Sequence, residues 1–422
     1  MHSNLKKCWM QNKLIFEILK EKSTPFYVNQ SMRPWLGNSD HPRRAAVSAF
    51  GFGGSNFHCV LEEVESEKAE IEWDGQVLLF GFSGNEIAEL TLKLGKTDHE
   101  KAWDELRCDA ARSLQSYNIS QPYRLTLVVT KETKLEKLIK GVNSMFTQHA
   151  DKKSWSTPDG AYFASGKPVG HLAMLFPGQG SQYTNMLIDL ACQFPQMQGV
   201  LAEAQHVFSE HHGGQGLNDL VYPVAAFTDE AKAEDENKLR ATQHAQPAIG
   251  ATSVGAMSIL QHFGVVADAT AGHSFGELPA LCAAGIISFE DLHKLANKRG
   301  ELMQAKDSDH GAMMVVSASA AVVHEFLEAE PLDLIIANNN TPSQVVLSGA
   351  SDQIDGALAR FQERGVAAKK LPVSAAFHSI YVSDAEKPYA EYMQDIEFKP
   401  GQITVYANTT SEAYPDDVEK SK

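Results

Sequence analysis

Short apolar runs separated by longer segments of mixed polarity recur along the chain, and runs of this length are typical of β-strands. Between them, apolar residues at helical spacing predict helices. The predicted strands lie at 77–83, 124–129, 172–176 and 267–272. The predicted helices lie at 86–94, 102–116 and 291–304, and a further helix begins near residue 277. This alternation predicts an α/β protein with a small α/β module ahead of residue 171.

A second pattern covers residues 312–375, where the predicted order of elements is βαββαβ. The strands are expected at 313–317, 334–338, 344–348 and 367–373, and the helices at 321–328 and 352–364. This order predicts a ferredoxin-like unit.

Composition sets limits on function. The chain has 422 residues, 43% hydrophobic and 21% charged, which is enough for roughly two or three globular domains. Its formal net charge of −16 repels nucleic acid and anionic lipid, so we expect neither as a partner. The five cysteines form no CxxC pair, and no apolar run reaches the length of a membrane span. We therefore expect a cytoplasmic protein without a metal site, signal peptide or membrane anchor.

The stretch 271–277, Ala-Gly-His-Ser-Phe-Gly-Glu, places Ser274 between two glycines at the spacing of a sharp, exposed nucleophile turn. Ser274 lies where a predicted strand meets a helix, and the helix N-terminus favours negative charge beside the hydroxyl. A serine hydroxyl is a weak nucleophile, so this turn needs a base and an oxyanion site nearby. We predict that Ser274 is the nucleophile.

His378 is the best candidate for the base among the sixteen histidines. It follows the predicted strand 367–373 in a strand-to-loop setting, where it can take the Ser274 proton and later return one to a leaving group. His273 is expected to point away from the serine and to pack against its surroundings. His211 and His212 are expected on a surface loop.

A Gly-x-Gly turn follows the strand at 172–176, in Pro177-Gly178-Gln179-Gly180. Its unpaired backbone N–H groups suit an anion or a developing oxyanion. Phosphate binding is the weaker interpretation, since the chain has no GxxxxGK[ST] motif. We predict the amides of Gln179 and Phe275 as oxyanion donors, because Phe275 directly follows the nucleophile.

The glycine-rich residues 43–63 resemble the C-terminal end of a β-ketoacyl synthase, as do the segments 25–29 and 33–35. The nucleophilic cysteine segment and the HGTGT motif of that family are absent from this sequence. This piece is therefore not expected to condense acyl groups. The α/β module that follows is similar to the linker domain that joins ketosynthase to acyltransferase in multidomain synthases.

From residue 171 onward the chain resembles the malonyl-CoA:acyl-carrier-protein transacylase family in an opening strand and five ordered blocks. The blocks are 242–248, 272–277, 298–300, 337–339 and 375–379. The resemblance implies an acyltransferase fold, in which a parallel-sheet, α/β-hydrolase-like large subdomain carries an inserted ferredoxin-like small subdomain. It also implies substrate-binding roles for Gln246, Asn338 and Phe377, the last of which fills the space for an α-methyl group.

Arg299 lies in the predicted helix 291–304, and its planar guanidinium can bind a carboxylate through two parallel hydrogen bonds. An acetyl group would leave that guanidinium buried and unpaired. Arg299 is therefore expected to select dicarboxylic acyl groups such as malonyl. The alternative is a surface arginine on an amphipathic helix.

These resemblances imply a ketosynthase remnant at 1–61, a linker domain at 62–170 and an acyltransferase domain at 171–422, with its ferredoxin-like subdomain at 312–375. They imply transfer of malonyl from malonyl-CoA, through a serine ester, to the phosphopantetheine thiol of an acyl carrier protein. The neighbouring ketosynthase of the same synthase would be a partner, and no metal or redox cofactor is expected. The residue at position 275, Phe275, and the sequence of residues 242–248 resemble the corresponding positions in the first subunit of bacterial polyunsaturated-fatty-acid synthases.

One departure concerns the C-terminal end. Members of the family continue past the strand equivalent to 403–408 and there supply the group that orients the catalytic histidine. Both ends of this chain therefore resemble cuts through domains, and the activity is expected of the parent synthase. Two alternatives stay open: a serine hydrolase or thioesterase that uses water as acceptor, and a non-catalytic piece that only docks carrier protein.

Overall fold

The computed structural model describes residues 27, 29, 31–36, 42–51, 53–64, 76–167, 170–214, 216–224, 226, 228–304, 311–371 and 376–415. The chain divides into two compact units. One unit joins residues 1–69 to residues 171–422, and the other spans 70–170. The described residues of the predicted segment 1–61 thus group with the predicted third domain.

The N-terminal segment contributes an antiparallel hairpin of β1 (Arg44–Ala49) and β2 (Phe57–Glu62), in which Arg44 lies opposite Glu62. All residues of both strands are exposed. Ahead of the hairpin, the Arg33 guanidinium donates to the carbonyl of Tyr222, 2.9 Å from Nε.

The 70–170 unit is an antiparallel sheet covered by helices, with strand order β3-β4-β6-β5. Its elements are β3 (Val77–Gly84), α1 (Ile87–Gly95), α2 (Trp103–Gln115), β4 (Tyr123–Thr130), α3 (Leu135–Gln148), β5 (Ser154–Ser156) and β6 (Ala161–Ser165). In β4, alternate residues Leu125, Leu127 and Val129 are buried, which gives the sheet one core face. The two strands and two helices predicted here are confirmed, and α3, β5 and β6 are additional.

After residue 170 the chain forms a short strand and then a group of helices. They are β7 (Ala173–Phe176), α4 (Ile188–Gln193), α5 (Pro195–His211), α6 (Leu217–Val221), α7 (Asp229–Arg240) and α8 (Thr242–His262). Helix α8 is buried along most of its length, which its run of small and apolar residues allows. It packs against α5 and so forms the centre of this part of the molecule.

The strand predicted at 267–272 is observed as β8 (Ala269–Gly272), followed by a 3₁₀ turn, Ser274–Gly276, and by α9 (Glu277–Ala283). Next comes α10 (Phe289–Leu302), which begins two residues before the predicted helix. The reason is a cap: the Ser288 hydroxyl accepts from the amide of Asp291, 3.0 Å away.

The predicted ferredoxin-like unit is present as a four-stranded antiparallel sheet of order β10-β11-β9-β12. Its elements are β9 (Ala312–Val316), α11 (Ala320–Ala329), β10 (Leu334–Thr341), β11 (Gln344–Gly349), α12 (Ser351–Glu363) and β12 (Ala368–Lys370). Strand β12 is shorter than the predicted strand 367–373, of which residues 372 and 373 lie outside the described residues, as do residues 374–375 of the predicted subdomain. Phe326 and Phe361, one from each helix, stack in the core at 3.9 Å.

The last described elements are α13 (Glu386–Met393) and β13 (Thr404–Tyr406). Strand β13 pairs in parallel with β8, and β8 pairs in parallel with β7, giving the order β13-β8-β7. The carboxyl ends of three parallel strands therefore lie side by side, and the segments that leave them meet at one edge. In the described residues, no helix is both long enough and apolar enough to cross a membrane.

Candidate active site

Ser274 lies immediately beyond the central strand β8, in the turn that the sequence predicted. Its φ is +53°, a left-handed conformation that a serine rarely adopts. A Cβ added to Gly272 would lie 1.9 Å from the carbonyl carbon of Gly276, and one added to Gly276 would lie 2.2 Å from the carbonyl oxygen of Phe176. The two glycines are thus required by close packing, and that packing holds the serine in its strained conformation.

His378 approaches the serine from a different part of the chain. Its Nε2 lies 2.8 Å from the Ser274 Oγ, which is hydrogen-bond distance. Desolvation in the cleft lowers the pKa of His378, and the positive charge of Arg299 lowers it further. The imidazole is therefore kept neutral to lower pH than usual, and a neutral imidazole can accept the serine proton.

The loop after β7 lies directly against this turn. A Cβ on Gly178 would lie 2.4 Å from the carbonyl oxygen of His273, so only glycine allows the approach. The amides of Gln179 and Phe275 donate to no acceptor in the described part of the chain, whereas the neighbouring Gly180 amide donates to the Gln182 side chain at 2.7 Å. These are the two amides predicted as oxyanion donors.

Arg299 is held by a row of polar side chains. Its Nη1 donates to Gln246 Oε1 at 2.9 Å, and Gln246 Nε2 lies 3.4 Å from Gln179 Oε1. Gln179 in turn donates from Nε2 to the Thr242 hydroxyl at 3.1 Å. Helices α8 and α10 come close enough for these hydrogen bonds because Gly300 has no side chain. A Cβ at that position would lie 2.8 Å from the Cα of Gln243.

The Glu277 carboxylate acts on the charge of Arg299 from a distance and forms no ion pair with it. Burial lowers the pKa of its guanidinium, and among the described residues no carboxylate forms an ion pair with it. A buried guanidinium without a carboxylate partner is costly, and an acidic ligand would relieve that cost. Arg299 is therefore a candidate anion-binding residue and not a surface arginine.

The predicted residues surround one cleft of about 120 Å³. Six of them line it: Gln179, Ser274, Arg299, Asn338, Phe377 and His378. Phe377 is buried against Met303 and Met313, which close one wall. Gln246 is hydrogen-bonded to Arg299 and does not line the cleft, and Phe275 directly follows Ser274 with its ring buried beside Gly250. The structure thus brings together every site residue that the sequence predicted.

His273 behaves differently from the prediction that it packs against its surroundings. Its side chain is exposed, lines the same cleft, and its Nε2 lies 3.0 Å from the Asn340 Oδ1. Asn340 belongs to β10, so this hydrogen bond joins the nucleophile turn to the ferredoxin-like sheet. No spacing along the chain indicates that pairing.

Sequence reasoning also missed Tyr389. Its hydroxyl is buried and has no hydrogen-bond partner in the described part of the chain, and burial raises its pKa. It lines a cavity of about 750 Å³ that also borders Arg299 and His378. A buried hydroxyl without a partner is uncommon and is often found where a ligand or water binds.

Asn408 was missed as well, although it contacts the serine turn through its side chain. It follows β13, and its Oδ1 lies 2.7 Å from the backbone nitrogen of Ser274. An asparagine at the end of a strand has no distinctive spacing, so the sequence offered no signal for this contact.

Comparison with known proteins decides the family. The sequence profile of the family described as "Acyl transferase domain" matches residues 173–420, more than half of the chain. The chain belongs to the acyltransferase domain family. A second profile, "Ketoacyl-synthetase C-terminal extension", matches residues 18–124, which confirms the resemblance to a ketosynthase end ahead of the acyltransferase.

The acyltransferase resembles parts of much longer synthases. It is 29% identical over 416 residues to one subunit of the polyunsaturated fatty acid synthase of Thraustochytrium sp., covering 93% of this chain and 15% of that protein. It is 31% identical over 397 residues to the PKS-NRPS hybrid synthetase acdB of Aspergillus candidus, covering 90% of this chain and 15% of that one. The chain thus spans about one seventh of the length of these relatives.

Solved structures show the same fold. The acyltransferase domain of ZmaA superposes with a TM-score of 0.63 at 20% identity, over 81% of this chain and 74% of that chain. The malonyl CoA-acyl carrier protein transacylase of Clostridium perfringens gives a TM-score of 0.51 at 31% identity, over 60% of this chain and 77% of that one. The predicted fold, a large parallel-sheet subdomain carrying a small ferredoxin-like one, is confirmed.

Proposed function

We propose that this acyltransferase moves a malonyl group from malonyl-CoA to the phosphopantetheine thiol of an acyl carrier protein, through an ester on Ser274. The observation that carries the proposal is one cleft that holds the 2.8 Å Ser274–His378 pair beside an Arg299 without a carboxylate partner in the described residues. A nucleophile with its base supports acyl transfer. A buried cation next to them supports an acyl group that carries a negative charge.

In the first half-reaction, His378 Nε2 takes the hydroxyl proton as Ser274 Oγ attacks the thioester carbon. The oxyanion is stabilised by the amides of Gln179 and Phe275, which have no other acceptor in the described residues. The C–S bond then breaks, the CoA thiolate takes the proton from His378, and the malonyl ester of Ser274 remains.

In the second half-reaction, His378 takes the proton of the carrier thiol, and the thiolate attacks the ester carbon. Collapse of the second tetrahedral intermediate breaks the C–Oγ bond, and Ser274 recovers its proton from His378. One thioester is consumed and one is formed. No oxidation occurs, so the proposed reaction requires neither a metal nor a redox cofactor.

Arg299 would bind the malonyl carboxylate through two parallel hydrogen bonds, with Gln246 holding the guanidinium in place. Asn338 lines the same cleft and would contact the acyl group. Phe377 lines the cleft as well, and its ring would meet an α-methyl substituent, which would favour malonyl over methylmalonyl. One methyl group is worth about 1–3 kcal/mol, so this second preference is the smaller one.

The partners are proposed from the relatives. One solved neighbour is a malonyl-transacylase in complex with a type II PKS acyl-carrier protein, 32% identical to this chain with a TM-score of 0.52. The ketosynthase extension matched at residues 18–124 supports a ketosynthase as neighbour in the same synthase. Similarity to part of a polyunsaturated fatty acid synthase supports that context for the parent.

The test is a competition for a holo carrier protein. The chain is incubated with the carrier and an equimolar mixture of malonyl-CoA and acetyl-CoA, and the mass of the carrier is followed with time. Malonyl-carrier should form first, and the Ser274→Ala variant should form none. Free malonate without acylated carrier would identify a hydrolase, and an unchanged carrier with intact malonyl-CoA would favour a chain that only docks carrier protein.

A further inference from the structure

Asn408 reaches the nucleophile turn from β13, more than a hundred residues further along the chain. Its Oδ1 accepts from the backbone amide of Ser274 at 2.7 Å. Its Nδ2 donates to the carbonyl of Gly272. A single carboxamide thus binds the backbone on both sides of His273, and each of its polar atoms has a defined partner.

Asn408 is itself held in place from the other side of the turn. Its backbone amide donates to Glu277 Oε1 at 2.7 Å. The Tyr414 hydroxyl donates to the same oxygen at 3.4 Å. Burial raises the pKa of the Glu277 carboxyl, and these two hydrogen bonds oppose that shift. The strand end and the first residue of α9 are therefore joined directly.

The turn needs such a support because Ser274 occupies a left-handed conformation, with φ +53°. That conformation persists only where the surroundings determine it. The Asn408 carboxamide also accepts from the serine amide, so this N–H already has an acceptor, whereas the amides of Gln179 and Phe275, the proposed oxyanion donors, have none in the described residues.

We infer that Asn408 is a positioning residue, whose carboxamide holds the Ser274 backbone so that Oγ stays within reach of His378. The inference rests on the proposed function, because it takes Ser274 as the nucleophile. Asn408 is absent from the lining of the Ser274 cleft, so its loss should slow attack by the serine and leave the KM for the acyl-CoA unchanged. A misplacement of this kind costs about 100-fold in rate.

The informative variant is Asn408→Asp. An aspartate carboxylate can still accept from the Ser274 amide, but it cannot donate to the Gly272 carbonyl, and it places a negative charge beside Glu277. Protonation of the introduced carboxyl restores the native pattern of hydrogen bonds, since a carboxylic acid offers one donor and one acceptor in the same places.

The groups around that carboxyl set the direction of its pKa. Glu277 raises it by charge repulsion, while the Ser274 amide and the positive charge of Arg299 lower it. His378, across Ser274, and the Tyr414 hydroxyl stay neutral near pH 7. A carboxyl is protonated below its pKa, which is ordinarily about 4 for aspartate, so the activity of Asn408→Asp relative to the native chain should rise as the pH falls toward that value. Asn408→Ala has no such group and should show no rescue.

The experiment uses a neutral fluorophosphonate that labels activated serines, so that the readout does not depend on which acyl group the site accepts. The labelling rate of Ser274 is measured by mass spectrometry for the full chain and for both Asn408 variants across pH. The matched control is Asn237→Asp, the same substitution at an exposed residue of α7, whose side chain accepts from Arg240 at 3.0 Å. Circular dichroism verifies that each variant is folded.

The expected result is labelling about 100-fold slower for both Asn408 variants at pH 8, rescue of Asn408→Asp alone at low pH, and native rates for Asn237→Asp. Labelling of a folded Asn408→Ala variant at the native rate would overturn the inference. A slowed Asn408→Asp variant without rescue would also overturn it, since the donor to Gly272 would then be irrelevant. A native chain that reacts with the fluorophosphonate but not with malonyl-CoA would instead reject the proposed function and leave the positioning result standing.

Discussion

At the scale of single residues, Arg299 bears most directly on which acyl group the site accepts. The residue is partly buried, its guanidinium donates to the neutral Gln246, and it lines the cleft that holds Ser274. A neutral acyl group would leave that charge uncompensated, whereas a carboxylate would pair with it. Selectivity in the proposed reaction therefore depends on a carboxylate that the substrate supplies.

Replacing Arg299 by alanine should abolish the preference for malonyl. The loss of a buried charge partner costs about 2–5 kcal/mol, so malonyl transfer should fall steeply while acetyl transfer gains relative to it. The ratio of kcat/KM for the two acyl-CoAs measures this. Lys298→Ala is the control, because Lys298 is the preceding residue and pairs with Glu301 at 3.2 Å. An Arg299→Ala variant that still prefers malonyl would remove Arg299 from the site.

Arg299 should also set the pH range of the reaction. Its charge helps to lower the pKa of His378, so the imidazole stays neutral below the ordinary histidine value of about 6.5. Arg299→Gln removes that charge and should raise the pKa of His378. The acidic limb of the pH profile for fluorophosphonate labelling would then move to higher pH. An unchanged limb, or one that moves to lower pH, would contradict this electrostatic coupling.

At the scale of elements, the nucleophile turn depends on contacts between three strand ends. Gly276 approaches the carbonyl of Phe176 at the end of β7, and Gly272 ends β8. Asn408 follows β13 and binds the same turn. The motif Gly-x-Ser-x-Gly predicted the turn correctly. Its two glycines are needed because other backbone segments pack so closely against them that no side chain fits.

Gly276→Ala should disrupt the turn, since the new Cβ would lie 2.2 Å from a backbone oxygen that cannot move freely. Fluorophosphonate labelling of Ser274 should fall below detection, and the thermal midpoint should drop. The matched control is Gly199→Ala in α5, where an added Cβ meets no atom within 4 Å. That variant should gain about 0.5–1 kcal/mol of stability and keep its labelling rate. Equal effects of the two substitutions would contradict the close packing of Gly276 against β7.

Much of the element order could be predicted because apolar runs and helical spacing are local signals. Helix boundaries were harder to predict than helices. The Ser288 cap places the start of α10 two residues ahead of the predicted start, and the hydrogen bond that forms this cap is visible only in the structure. Helices α3 to α8 and α13, and strands β5 and β6, were not predicted. The contact of Asn408 with Ser274 lies beyond any sequence pattern, because it joins residues more than a hundred positions apart.

At the scale of the whole molecule, the chain consists of two units with separate cores. The 70–170 unit has its own cluster of buried residues, which includes Phe80, Leu125 and Phe163. A unit that buries its own apolar core can fold alone. Most of the site could be predicted because its motifs occur in a fixed order along the chain. The positions of Tyr389 and Asn340 beside the cleft could not, because they depend on tertiary contacts between segments far apart in sequence.

A fragment of residues 76–167 should therefore fold without the rest of the chain. It should show a mixed α/β circular dichroism spectrum and a single cooperative thermal transition. The control is a variant of the fragment with Leu125→Asp, which places a charge in the core and should unfold it. A fragment as unstructured as that variant would show that its core depends on the remaining chain.

The proposed function depends first of all on whether Ser274 carries the acyl group. The most direct measurement is intact-mass spectrometry of the chain after brief exposure to malonyl-CoA, with peptide mapping and a Ser274→Ala control. We expect the native chain to gain the mass of one malonyl group, mapped to Ser274, and the control to gain none. An adduct that persists in Ser274→Ala, or a folded native chain that gains no adduct, would contradict the proposed mechanism.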